Sequence, residues 1–176
     1  MTIERMRHLK YVFVFLLFLL CASDAAAQWD RIQSEQCNLS ALYPGMVNEQ
    51  TRTNQLTDSL TTREYRFLAS FEEQYFLMYC SVWPEGFIKG STEAKLEGSL
   101  AGIDGEVLHE EKIALGEYLG RSFIVDLSSG KGLTFVRAYI AGNVVIQMQA
   151  ILLDPSSEEL SPEGERFLES IQIGEP

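Results

Sequence analysis

Histidine is nearly absent from the chain, which has only two. One of them, His8, stands in an N-terminal stretch that reads as a leader, so His109 is the one imidazole left to the body of the protein. A serine or cysteine nucleophile needs a positioned base, and no Gly-x-Ser-x-Gly turn is there to present a serine. His109 lies in "EVLHEEKIAL", expected mid-strand, where the plain reading is a solvent-facing residue among glutamates. Metal ligands are just as scarce. "HEEK" is not His-Glu-x-x-His, no close Cys-x-x-Cys occurs, and no calcium loop of alternating Asp/Asn around a glycine is present. Cys37, Cys80 and His109 could form a zinc site only by meeting through the tertiary fold. "SSGKGL" lacks the upstream glycine and the following Ser/Thr of a phosphate loop and reads as a flexible turn. No catalytic set, metal site or cofactor is therefore expected. A carboxylate-dependent envelope hydrolase is the enzymatic alternative. Its obvious candidates, Glu110 and Glu111, are adjacent on a strand and point to opposite faces, which does not suit a paired acid and base. The cluster Glu158, Glu159, Glu163 and Glu165 reads as a solvated charge run.

Basic charge is also in short supply. Lys and Arg number 14 against 25 Asp and Glu, a net charge of −11, and Arg5, Arg7 and Lys10 belong to the leader. An acidic surface repels phosphate backbones, so a nucleic-acid partner is not expected. The charge instead suits solubility.

Only one apolar run is of note, and it is short. Tyr11 to Leu20 follows the basic start, and Ala25-Ala26-Ala27 offers an Ala-x-Ala cleavage site, the pattern of a secretory signal. A spanning helix needs roughly 20 apolar residues, and Asp24 closes this run well before that. Cleavage after Ala27 would leave residues 28–176 as one domain, soluble in the periplasm or outside the cell. The alternatives are an uncleaved anchor, or a lipoprotein acylated on Cys21, although Leu20 stands where a small residue normally precedes such a cysteine.

Three cysteines are present, and loss of Cys21 leaves the pair Cys37 and Cys80. In an oxidising compartment an even pair suits a disulfide. Two buried thiols are the other reading, since free cysteine is itself a small core residue. Cys37, Leu39 and Ala41 are expected on one strand face, and Phe76, Met78, Cys80 and Val82 on another.

What the body of the chain does have is strand-like alternation. "CNLSALY" ends at the turn Pro44-Gly45, and the polar stretch 46–60 suggests a ragged edge strand and a loop. "TREYRFLASF" and "QYFLMYCSVW" pair across Glu72-Glu73. Ser91 can cap a helix whose buried stripe is Leu96, Leu100 and Ile103. Strands over Gly105 to Leu115 and Tyr118 to Leu127 follow, the latter with Leu119, Phe123, Val125 and Leu127 on one face. Two more strands flank a Gly142-Asn143 hairpin turn. Ser161 and Pro162 open a last helix with Phe167, Leu168 and Ile171 on its apolar side. The expected fold is a single α+β domain, an antiparallel sheet with two or more packing helices. Trp83, Pro84 and Phe87 sit at the strand-to-helix break, with Tyr75 and Tyr79 on the strand face opposite Cys80. These aromatics either line a groove for a small ligand or a protein partner, or cover the second sheet face beneath a helix.

Several of these segments also resemble a known class. Tyr43-Pro44-Gly45 after the first strand, Gly120-Arg121 in a middle strand, the Tyr139 to Asn143 hairpin and the closing "RFLESI" are similar to exported bacterial proteins of the PsbP-like or Mog-type α/β/α sandwich class. The resemblance spans most of residues 28–176. It implies that sandwich fold and an accessory or binding role, and it carries no catalytic residue over to this chain.

Overall fold

The computed structural model describes residues 28–58, 60–86, 91–99, 103–128, 131–154, 156 and 159–174. The expected leader with Cys21 lies outside them, as do Phe87 and Leu100. In chain order the elements are β1 (Trp29–Ser34), β2 (Leu39–Pro44), β3 (Asn48–Thr57), β4 (Leu60–Phe71), β5 (Gln74–Val82), α1 (Thr92–Ser99), β6 (Gly105–Leu115), β7 (Tyr118–Leu127), β8 (Leu133–Ala141), β9 (Val144–Leu152), α2 (Pro162–Glu169) and β10 (Gln172–Ile173). Seven strands form one antiparallel sheet in the order β3-β4-β5-β9-β8-β7-β6, and three form a second, β1-β2-β10. The Glu72-Glu73 and Gly142-Asn143 turns join β4 to β5 and β8 to β9 as the sequence suggests. Gly142 takes a positive φ of 59° that glycine adopts without steric cost.

Period-two alternation sends Phe76, Met78 and Cys80 of β5 and Ile146, Met148 and Ala150 of β9 to the inner face of the large sheet, where all are buried. Leu39, Ala41 and Tyr43 of β2 and Phe167 and Leu168 of α2 pack on that face and share its core. Phe167 stands edge-on to Tyr43 and Phe76, with ring centroids 5.0 and 5.5 Å away. The Tyr43 hydroxyl donates to the Phe67 carbonyl at 3.0 Å, and burial pushes its pKa well up. Helix α2 is capped at both ends. Ser161 Oγ accepts from the Gly164 amide at 3.0 Å, while Ser170 Oγ donates to the Phe167 carbonyl at 2.7 Å and accepts from the Leu42 amide at 2.8 Å. The last contact joins the helix end to β2.

Cys37 and Cys80 form a disulfide with a Cα–Cα distance of 6.5 Å. Cys37 is buried in the same core cluster as Leu39 and Ala41, as alternation suggests. It sits in the turn before β2 rather than on the strand itself, next to Asn38 with its φ of 51°. From there it reaches β5 and ties the small sheet to the large one.

Gly120 and Tyr139 are direct cross-strand partners. A Cβ on Gly120 would stand 2.5 Å from the Ala138 carbonyl oxygen and 2.6 Å from Tyr139 Cδ1. The glycine therefore makes room for a tyrosine ring that is itself buried. This accounts physically for two of the segments behind the family resemblance.

The expectation of an α+β domain built as an α/β/α sandwich needs correction. The described chain is mostly β, with two helices of eight residues each against ten strands. Two features hid this. The polar stretch 46–60, expected as a ragged strand and loop, contains a ten-residue edge strand whose side chains face solvent and so carry no apolar alternation. The helix after Ser91 is described from Thr92 to Ser99, and Ile103, expected on its buried stripe, is not part of it. Leu119, grouped with Phe123 and Val125 by alternation, is 55% exposed.

The Cys37→Ala/Cys80→Ala variant is expected to lose about 4 kcal/mol of unfolding free energy, from the entropy of a loop with a sequence separation of 43. Urea unfolding of the oxidised protein and the variant measures it, and coincident curves would refute the estimate. Gly120→Ala is expected to cost about 1–3 kcal/mol through overpacking against Tyr139, read as a lower urea midpoint at unchanged slope.

Candidate ligand groove

Among the described residues, the outer face of the large sheet is covered only in part. Helix α1 begins where Ser91 Oγ accepts from the Ala94 amide at 3.3 Å. It buries Leu96 against Phe123, Val125, Val136, Ala138 and Ile140 of β7 and β8. Arg121 of β7 pins it from below, reaching Glu97 of the helix at 3.7 Å and also pairing with Glu110 of β6. With eight residues, α1 spans about 12 Å. The outer faces of β4, β5 and β9 are left beside it as the floor of a groove of about 890 Å³.

Strand register sets that floor. Across β4, β5 and β9, Glu64, Ser81 and Val145 form one row, Arg66, Tyr79 and Gln147 the next, and Leu77 and Gln149 the one after. Ala94, Lys95 and Gly98 line the helix side, and Ile103, Asp104, Leu127, Ser128 and Lys131 close the far end. Trp83 stands at the opposite end, just past β5. Its amide donates to the Asn143 carbonyl at 3.0 Å, and Asn143 Nδ2 donates to its carbonyl at 2.7 Å. The hairpin turn thus holds the tryptophan's backbone in place.

Of the aromatics singled out in sequence, Trp83 and Tyr79 line this groove. Tyr75 is one row beyond it and 39% exposed, and Phe87 lies outside the described residues. Sequence reading missed Arg66, Lys95, Lys131 and the pair Gln147 and Gln149, although the glutamines alternating with Ile146, Met148 and Ala150 carried a signal. They read as a solvent face, yet Gln147 is buried and accepts a hydrogen bond from Gln149 at 3.0 Å.

The charges in the groove are mostly engaged. Glu64 pairs with Arg66 at 3.3 Å, whose guanidinium also lies 5.7 Å from the Tyr79 ring centroid. Asp104 accepts from Ser128 Oγ at 3.0 Å. A carboxylate alone is a poor base for a serine hydroxyl, lacking the imidazole that mediates in hydrolases. His109 is exposed on edge strand β6, beside a bulge in its pairing with β7. Glu110 is held by Arg121, and Glu111 is on the other face. Cys37 and Cys80, being bonded to each other, are not available as metal ligands. Among the described residues no group of three or more His, Cys, Asp or Glu is gathered as a metal site, and no helix is long and apolar enough to cross a membrane.

No family model matches the chain, and no curated protein matches it. Its structure is similar to the solution structure of cyanobacterial PsbP (CyanoP) from Synechocystis sp. PCC 6803, with a TM-score of 0.51 over 86% of this chain and 95% of that one. The two sequences are 9% identical, so the likeness concerns the fold alone. The fold is PsbP-like.

Burial pushes the Tyr79 pKa up, opposed by a hydrogen bond with Ser81 and the charge of Arg66 and reinforced by Glu64. The folded protein thus favours the neutral phenol. The stabilisation is full below the unfolded tyrosine pKa of about 10 and is lost as pH rises above it. Tyr79→Phe has no proton to lose there. Its urea midpoint is therefore expected to gain on that of the parent protein between pH 9 and 11.5, whereas a constant difference across that range would contradict the shift.

Proposed function

We propose that this protein is a non-enzymatic binding domain that works outside the cytoplasm and holds a small ligand between α1 and the outer faces of β4, β5 and β9. The observation that carries the reading is the groove itself. Its volume of about 890 Å³ lies within the usual size of small-molecule sites, roughly 300–1,000 Å³. It mixes apolar walls with a few polar groups, and it faces away from the core that stabilises the fold. The PsbP-like fold fits an accessory rather than a catalytic role. The Cys37–Cys80 disulfide and the leader-like N-terminus fit export to an oxidising compartment.

Gly98 provides the test. It lines the groove from α1, and a Cβ there would meet no atom within 4 Å. Replacing a helical glycine by tryptophan also recovers part, roughly half, of glycine's propensity cost of about 1 kcal/mol. Gly98→Trp is therefore expected to fill the groove while leaving the melting temperature unchanged or raised. Native mass spectrometry of protein purified from its host's envelope should show a small bound mass on the parent chain and none on the variant. A parent chain that carries no added mass, or a variant that keeps it, would count against the groove as the binding site.

A further inference from the structure

We propose that the groove is selective for a small amphipathic anion, an apolar or aromatic body ending in a carboxylate. This rests on the groove being a ligand site. The body is matched by Leu77, Val145 and Leu127 and by the rings of Tyr79 and Trp83. From Leu77 to Trp83 the floor runs six residues along β5 and its end, roughly 20 Å at the rise of an extended strand.

The head group is argued from charge. Among the described residues the lysines are Lys95, Lys112 and Lys131, and two of these, Lys95 and Lys131, line the groove. Neither is in an ion pair with a described acidic residue, although Arg66 and Arg121 in the same region are. The chain has 25 acidic residues and a net charge of −11, so partners for two lysines would be easy to supply. The two carboxylates of the lining are already engaged, Glu64 by Arg66 and Asp104 by Ser128. The lining thus carries three cations, Arg66, Lys95 and Lys131, against the carboxylates Glu64 and Asp104, and with Arg66 turned to Glu64 an anionic ligand finds two ammonium groups outside any described ion pair.

The probes are 4-phenylbutyrate, its neutral amide and 4-phenylbutylamine, which share one body and differ in the charge of the head. Titration calorimetry at low ionic strength, where charge contacts are least screened, is expected to show the carboxylate binding about tenfold more tightly than the amide, with the amine weakest. In a Lys95→Gln/Lys131→Gln variant with unchanged circular dichroism, the carboxylate should fall to about the affinity of the amide, and the amide should be unaffected. Equal binding of all three probes, or a carboxylate affinity indifferent to the two substitutions, overturns the anion selectivity and leaves the groove as a ligand site. Failure of every probe to bind overturns the selectivity as well. The groove reading falls with it only if the envelope-purified parent protein also carries no small bound mass.

Discussion

The edge-on contacts of Phe167 with Tyr43 and Phe76 hold the layers of this molecule together. Tyr43 comes from the small sheet, Phe76 from the large sheet and Phe167 from α2, so one aromatic cluster joins three elements that are distant in sequence. Edge-to-face ring pairs contribute about 0.5–1.5 kcal/mol each beyond the area they bury. The Cys37–Cys80 bridge crosses the same seam. Ser170 adds a polar link where the helix ends against β2. Arg166, 4.4 Å from the Trp29 ring centroid, extends the seam to its rim.

The inner face is sealed in this way, while among the described residues the outer face has little cover. The connection between β5 and β6 supplies a helix of eight residues, and its one fully buried apolar side chain, Leu96, is spent on β7 and β8. The groove is the part of the sheet that the described residues of this helix do not cover. Its floor has a composition intermediate between core and surface, with Leu77 and Val145 beside Ser81, Gln147 and Gln149. Arg121 adds to the seat that Leu96 gives the helix, pairing with Glu97 of α1 and Glu110 of β6, although so exposed a pair contributes only about 0–1 kcal/mol.

The strands that bury one face were legible wherever apolar residues alternate. Phe76, Met78 and Cys80 and the series from Ile146 to Leu152 fall on the inner face as their spacing requires. The turns at Glu72-Glu73 and Gly142-Asn143, the Ser161 cap and the Pro162 start were legible for the same local reason. Strand β3 was legible as an edge strand but not in its ten-residue length, since its residues face solvent and strand pairing with β4 rather than side-chain burial holds it extended. The candidate site was half legible. Trp83 and Tyr79 stood out as aromatics at a break, but nothing local linked them to Lys95 or Lys131, which are brought to them by the packing of α1 and by the loop between β7 and β8.

The sequence by itself determined the short-range matters: the alternation of the buried strands, their turns, the caps of the last helix, and the shortage of histidine that leaves acid–base and metal chemistry so few residues. These depend on neighbours within a few positions, where backbone sterics and side-chain periodicity act directly. The tertiary structure decided the mostly β architecture, the second sheet, the bonding of Cys37 to Cys80 and the gathering of two lysines and two aromatics into the lining of one groove. Each of these requires the closure of long loops, and the free energy that closes them comes from burying the inner face as a whole.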